Sequence, residues 1–70
     1  MFYKSHEVVQ NDLTHLRKTA KLTQQQLADK VGVTRQTIIA IEKGNYTPSV
    51  LLALKLAGTL RKPVEELFWL

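Results

Sequence analysis

From residue 12 onward, apolar side chains recur at steps of three and four, the spacing that places them on one side of a helix. Leu13, Leu16 and Ala20 mark the inner face of a first helix over about 12–20. Asn11 is its N-cap, Asp12 suits the positive end of its dipole, and Lys18 and Lys21 suit the negative end. The second helix has the clearest start in the chain. Thr23 followed by Gln26 forms a capping box ahead of Leu27, Ala28 and Val31. Gly32 reaches positive φ cheaply and stops that helix. A third helix begins after Thr34, a second N-cap residue. Ile38 and Ile41 face the core with Val33, and Gly44 ends the helix.

Asn45, Tyr46 and Thr47 then form a loop, and Ser49 caps a fourth helix. Its inner stripe reads as Val50, Ala53, Leu54, Ala57 and Leu60, with Gly58 weakening it by up to about 1 kcal/mol relative to Ala. Lys62-Pro63 breaks the chain again. Pro63 opens a short fifth helix, with Glu65 and Glu66 near its positive end. Residues 1–10 show no helical pattern, and Phe2, Val8 and Val9 suit a short strand or an arm against the body. No segment alternates strongly enough to require a sheet. The predicted fold is therefore all-α: an arm over residues 1–10 and a five-helix domain over 11–70.

Seventy residues allow one domain, and 44% apolar residues suffice for its core. There is no cysteine, so neither a disulfide nor a thiolate metal site can reinforce it. The net charge of +4 favours an anionic partner, though an ordinary basic domain would carry as much. No apolar run approaches the roughly 18 residues of a spanning helix. The start MFYKSHEVVQ carries charges where a signal peptide needs an apolar region. A soluble, cytoplasmic protein without a membrane partner is expected.

The third helix holds the most specific chemistry. Arg35, Gln36, Ile39, Ala40 and Lys43 share one face, turned away from Ile38, Ile41 and Glu42. Arg donates a forked pair of hydrogen bonds to guanine, and Gln pairs with adenine through one donor and one acceptor. Ile39 suits a thymine methyl, or equally the edge of the core. Gln24 stands at the start of the second helix, where free N–H groups and the dipole attract a phosphate. Thr34 suits two roles, capping the third helix and touching phosphate, capping being the stronger. Lys43, Asn45 and Tyr46 follow as backbone clamps, with the Tyr46 ring also suited to anchoring the loop. Lys18, Lys21 and Lys30 add positive field or serve only as solvated faces. Two short helices around Gly32, the second carrying this face, read as a helix-turn-helix for double-stranded DNA.

Leu22-Thr23-Gln24, Leu27-Ala28, Val31 to Ile38, Ile41-Glu42 and Lys43-Gly44 resemble the Cro and lambda-repressor-like helix-turn-helix family, over roughly residues 11–68. The stretches Asn45 to Ser49 and Pro63 to Phe68 are similar to its short stand-alone repressors. The resemblance implies five helices, the third in the major groove, and homodimers on two-fold operators. It implies a salt bridge from Glu42 to Arg17 joining the third helix to the first. The alternative for Arg17, less favoured because a Glu near the DNA face would otherwise repel phosphate, is a solvated side chain that contacts a phosphate. Relatives usually carry Gly or Asn where this chain has Arg61, so either a left-handed cap there is strained or the helix ends differently. Ile39 and Leu51 stand at positions that are often polar and are expected at the surface.

The expected dimer surface is the apolar end Leu67, Phe68, Trp69 and Leu70, with Phe2 and Tyr3. The alternative is that these side chains close their own chain's core. Enzyme chemistry has little support. The chain offers no cysteine nucleophile, no Gly-rich phosphate loop and no paired-histidine motif. His6 and His15 lack a supporting carboxylate cluster, and Ser5 and Ser49 have no evident triad. No cofactor or metal is expected. The competing reading is an antitoxin that binds a protein toxin and regulates its own operon. A domain cut from a larger regulator is a third reading, against which the Met start and aromatic ending weigh mildly.

Overall fold

The computed structural model describes residues 8–70. Five helices follow one another: α1 (Leu13–Thr19), α2 (Gln24–Val31), α3 (Arg35–Glu42), α4 (Val50–Leu60) and α5 (Val64–Leu67). They are closed by an antiparallel ribbon of β1 (Gln10–Asn11) and β2 (Phe68–Trp69). Gln10 lies opposite Trp69 and Asn11 opposite Phe68. The Asp12 N–H continues the ribbon by donating to the Leu67 carbonyl at 3.0 Å. The fold is the expected helical one, and the strand falls at the end of the expected arm. Its partner β2 was hidden, because two residues are too few for alternation to register. Phe2 and Tyr3 lie outside the described residues.

Helix starts follow the local chemistry of the chain. At α2 the full capping box forms: Thr23 Oγ1 accepts from the Gln26 N–H at 3.0 Å, and Gln26 Oε1 accepts from the Thr23 N–H at 2.8 Å. Thr34 accepts from the Thr37 N–H and Ser49 from the Leu52 N–H. At α1 the cap is displaced by one residue. Asp12 occupies the N-cap without a side-chain bond, while Asn11 Oδ1 accepts from the Leu13 N–H at 3.1 Å.

Helix ends are less legible. Left-handed residues follow α1, α2, α3 and α4: Lys21 (φ 60°), Gly32 (77°), Gly44 (78°) and Arg61 (56°). After α1 the Lys21 N–H bonds to the Lys18 carbonyl and the Leu22 N–H to the Arg17 carbonyl, the paired bonds of a Schellman end. The turn demands positive φ whatever side chain is present. Lys21 and Arg61 therefore carry strain that glycine would relieve.

Leu13, Leu27, Ile38, Ile41, Leu56 and Leu67 are fully buried, and Ala28, Val31, Leu52, Ala57 and Leu60 complete the core. Leu16, Leu22, Val33, Val64 and Phe68 pack around it. The stripe expected on α4 is half wrong. Ala57 and Leu60 are buried as expected, but Val50 and Leu54 face solvent, and Leu52 and Leu56 take their place. The sequence VLLALKLAGTL is apolar on both sides, so periodicity allowed two faces, and packing against α2 and α5 selected the one centred on Leu56.

Candidate nucleic-acid interface

The site is built from α2, the turn at Gly32 and α3. Residues Val31 and Ile38, on either side of that turn, are buried together with Leu27 and Ile41. This fixes one face of α3 inward. Residues at steps of three and four on the other face, Gln36, Ile39, Ala40 and Lys43, then form one stripe, with Arg35 beside it. Arg35, Gln36 and Lys43 are exposed, and Ile39 and Ala40 are half-buried along the stripe. Thr34 is exposed, but its hydroxyl is engaged with Thr37, at 3.3 Å from the amide nitrogen and 3.2 Å from the other hydroxyl. Asn45 and Tyr46 are exposed in the loop just past α3.

Behind this surface lies a buried polar knot. Arg17 Nε donates to Glu42 Oε2 at 2.6 Å, and Arg17 Nη2 donates to Glu42 Oε1 at 3.3 Å, a two-point contact between α1 and the last residue of α3. Arg17 Nη1 donates to the Leu22 carbonyl at 2.8 Å, tying down the α1–α2 turn. Gln24 Nε2 donates to Glu42 Oε1 at 3.0 Å. One carboxylate thus links α1, α2 and α3. Burial disfavours the Glu42 charge, but hydrogen bonds from Arg17, Gln24 and Thr14, with the Arg17 positive charge, outweigh it and hold the carboxyl below its ordinary value. The Gln24 amide, expected to reach for a phosphate, is thereby oriented from within the protein.

Asn11 adds a link that its reading as a simple cap missed. Its Nδ2 donates to the Ile41 carbonyl at 2.9 Å while its Oδ1 holds the start of α1. The ribbon, the start of α1 and the last turn of α3 therefore meet at one side chain. Nothing local signals this, because the partner carbonyl lies thirty residues away.

A family model described as helix-turn-helix matches residues 13–67. The chain belongs to that family. Similar helix-turn-helix regulators occur in bacteria and archaea. The HTH-type transcriptional regulator YgzD of Bacillus subtilis is 47% identical over 62 residues, covering 89% of this chain and 94% of its own. One from Methanothermobacter thermautotrophicus is 57% identical over 53 residues, covering 74% of this chain and 77% of its own. Among solved structures, the restriction-modification controller protein C.AhdI of Aeromonas hydrophila superposes with a TM-score of 0.72 at 33% identity, covering 77% of this chain and 82% of that one. The clp gene regulator ClgR of Corynebacterium glutamicum, at 22% identity and a TM-score of 0.73 over 77% of this chain and 57% of that one, supports the fold alone.

The surface of this helix-turn-helix protein corrects one expected role. Leu67 is fully buried in its own core, so it is not available to a partner. It sits where α5 meets β2, and its carbonyl accepts from the Asp12 N–H. Phe68 packs against the same core, leaving Trp69 and Leu70 as the exposed part of the apolar end. His15 faces solvent beside Asp12. No group of three or more His, Cys, Asp or Glu residues suited to a metal occurs among the described residues. No helix among them is long and apolar enough to cross a membrane.

Proposed function

We propose that this helix-turn-helix regulator is a sequence-specific repressor that binds a two-fold operator as a homodimer, with α3 in the major groove. The observation that carries the reading is the division of α3 into a buried side, Ile38 and Ile41, and an outward stripe whose polar members suit base edges. Arg35 reads guanine, Gln36 reads adenine, and Ile39 and Ala40 supply apolar contact to thymine methyl groups. Gln24, Thr34, Lys43, Asn45 and Tyr46 hold the backbone on either side and set the register without reading sequence. The Arg17–Glu42–Gln24 knot keeps α2 and α3 rigid against α1, so the stripe meets the groove preorganised.

One domain offers few contacts. Two copies double them and match half-sites roughly 34 Å apart. The test is a binding selection from random duplexes, run on wild type and on Gln36→Ala. The wild type is expected to yield a two-fold sequence. Gln36→Ala is expected to lose about 1–3 kcal/mol on it and to relax the preference at one base pair per half-site. Equal affinity for selected and random DNA at physiological salt would overturn the specific-repressor reading.

A further inference from the structure

Helix α4 has a second apolar face. Val50, Leu51 and Leu54 are 76%, 64% and 57% exposed, on the side opposite the buried Leu52 and Leu56. Tyr46, 47% exposed, adjoins Leu51 at an open groove of about 260 Å³ that Val31 and Val33 also line. Three of the seven large exposed hydrophobic residues named among the described ones (Val8, Tyr46, Val50, Leu51, Leu54, Trp69 and Leu70) thus lie on one helix, with Tyr46 beside Leu51. Single exposed apolar side chains are ordinary, whereas a contiguous group marks an interface.

Gly58 lies on the same stripe, four residues beyond Leu54 and eight beyond Val50. A glycine inside a helix weakens it and calls for a reason. The described residues supply none: the backbone there is ordinary helix, and among them a Cβ at Gly58 would meet nothing within 4 Å. A second helix approaching closely would supply one.

The order of sizes along the stripe is self-complementary. Bulky Val50 stands four residues before Leu54 and the bare Gly58 four residues after it, each about 6 Å along the axis. Two antiparallel copies related by a two-fold axis at Leu54 set that residue against its own counterpart and seat each Val50 in the space over the other chain's glycine. The same patch then serves both chains, as a closed two-fold dimer requires. We propose that this face of α4, formed by Val50, Leu51, Leu54 and Gly58, is where a second copy of the chain packs. The inference rests on the homodimer reading above and places its contact on α4 rather than on the C-terminal edge of Trp69 and Leu70.

The native chain has no cysteine, so a single introduced one reports its neighbour. Oxidised Leu54→Cys is expected to give a covalent dimer and Leu70→Cys to remain uncross-linked, because a disulfide needs Cα atoms within about 7 Å. In sedimentation equilibrium, Leu54→Lys and Leu54→Glu alone are each expected to weaken the dimer roughly 30-fold or more, with unchanged helical circular dichroism. Mixed in equal amounts they are expected to restore a heterodimer, since opposite charges then meet at the axis. A dimer of wild-type affinity in both charge variants, with cross-linking at Leu70→Cys instead, would overturn the α4 assignment while leaving the homodimer intact. A wild type that stays monomeric both free and on its selected operator would overturn the homodimer reading itself.

Discussion

Replacing Glu42 by Gln removes the charge from the buried knot while keeping its shape. The magnitude follows from burial. The Arg17 and Glu42 side chains are 9% and 7% exposed, so the 0–1 kcal/mol of a solvated surface pair does not apply. Taking away one partner of a buried pair leaves the other uncompensated and costs about 3–5 kcal/mol. Gln retains one acceptor for the guanidinium, and the Leu22 carbonyl still receives Nη1, so the lower end, about 3 kcal/mol, is expected. Against a total of roughly 3.5–10 kcal/mol for a domain of this length, that is about 30% or more of its stability.

The assay is urea unfolding followed by far-ultraviolet circular dichroism at fixed protein concentration, where the midpoint should fall with little change in slope. The double variant Arg17→Met with Glu42→Leu should regain most of the loss, because it removes the buried charge along with its partner. The pH dependence has a definite sign. The Glu42 carboxyl titrates lower when folded, so its stabilisation is fully present above the ordinary glutamate value of about 4.3. It is lost as pH falls through the lower folded value. That component of acid unfolding should disappear in the double variant. A loss below 1 kcal/mol in Glu42→Gln, or a double variant no more stable than the single ones, would refute the reasoning.

Other consequences follow from single features. Lys21→Gly and Arg61→Gly should each raise stability by about 0.5–1 kcal/mol, the relief of left-handed strain less the added freedom of the unfolded chain, as a higher melting temperature would record. Leu67→Ala should cost about 2–5 kcal/mol because the side chain is fully buried, whereas Leu70→Ala should stay within about 0.5 kcal/mol in the same unfolding series. Lys43→Ala should weaken binding to selected and random duplexes alike and lower the salt slope by about 1, measured by titration at several salt concentrations.

The parts of this protein legible from its sequence are those set by neighbours along the chain. Thr23 with Gln26, Thr34 and Ser49 cap helices through bonds spanning three residues, so each start could be read locally. Gly32 and Gly44 announced two ends because glycine is the usual occupant of a left-handed turn. Lys21 hid a third, since the same turn had been given a side chain that does not advertise it. The outward stripe of α3 was legible because Ile38 and Ile41 leave that helix one possible inner face.

Tertiary structure decided what local chemistry left open. It chose between the two apolar sides of α4, burying Leu52 and Leu56 and leaving Val50 and Leu54 outside. It paired β1 with β2 across nearly the whole chain and drew Leu67 into the core. It also turned Asn11 from a cap into a clamp on the last turn of α3. Each of these depends on groups distant in sequence whose meeting is set by packing. Local periodicity fixes which faces are apolar, but only the closed core determines which of them is covered.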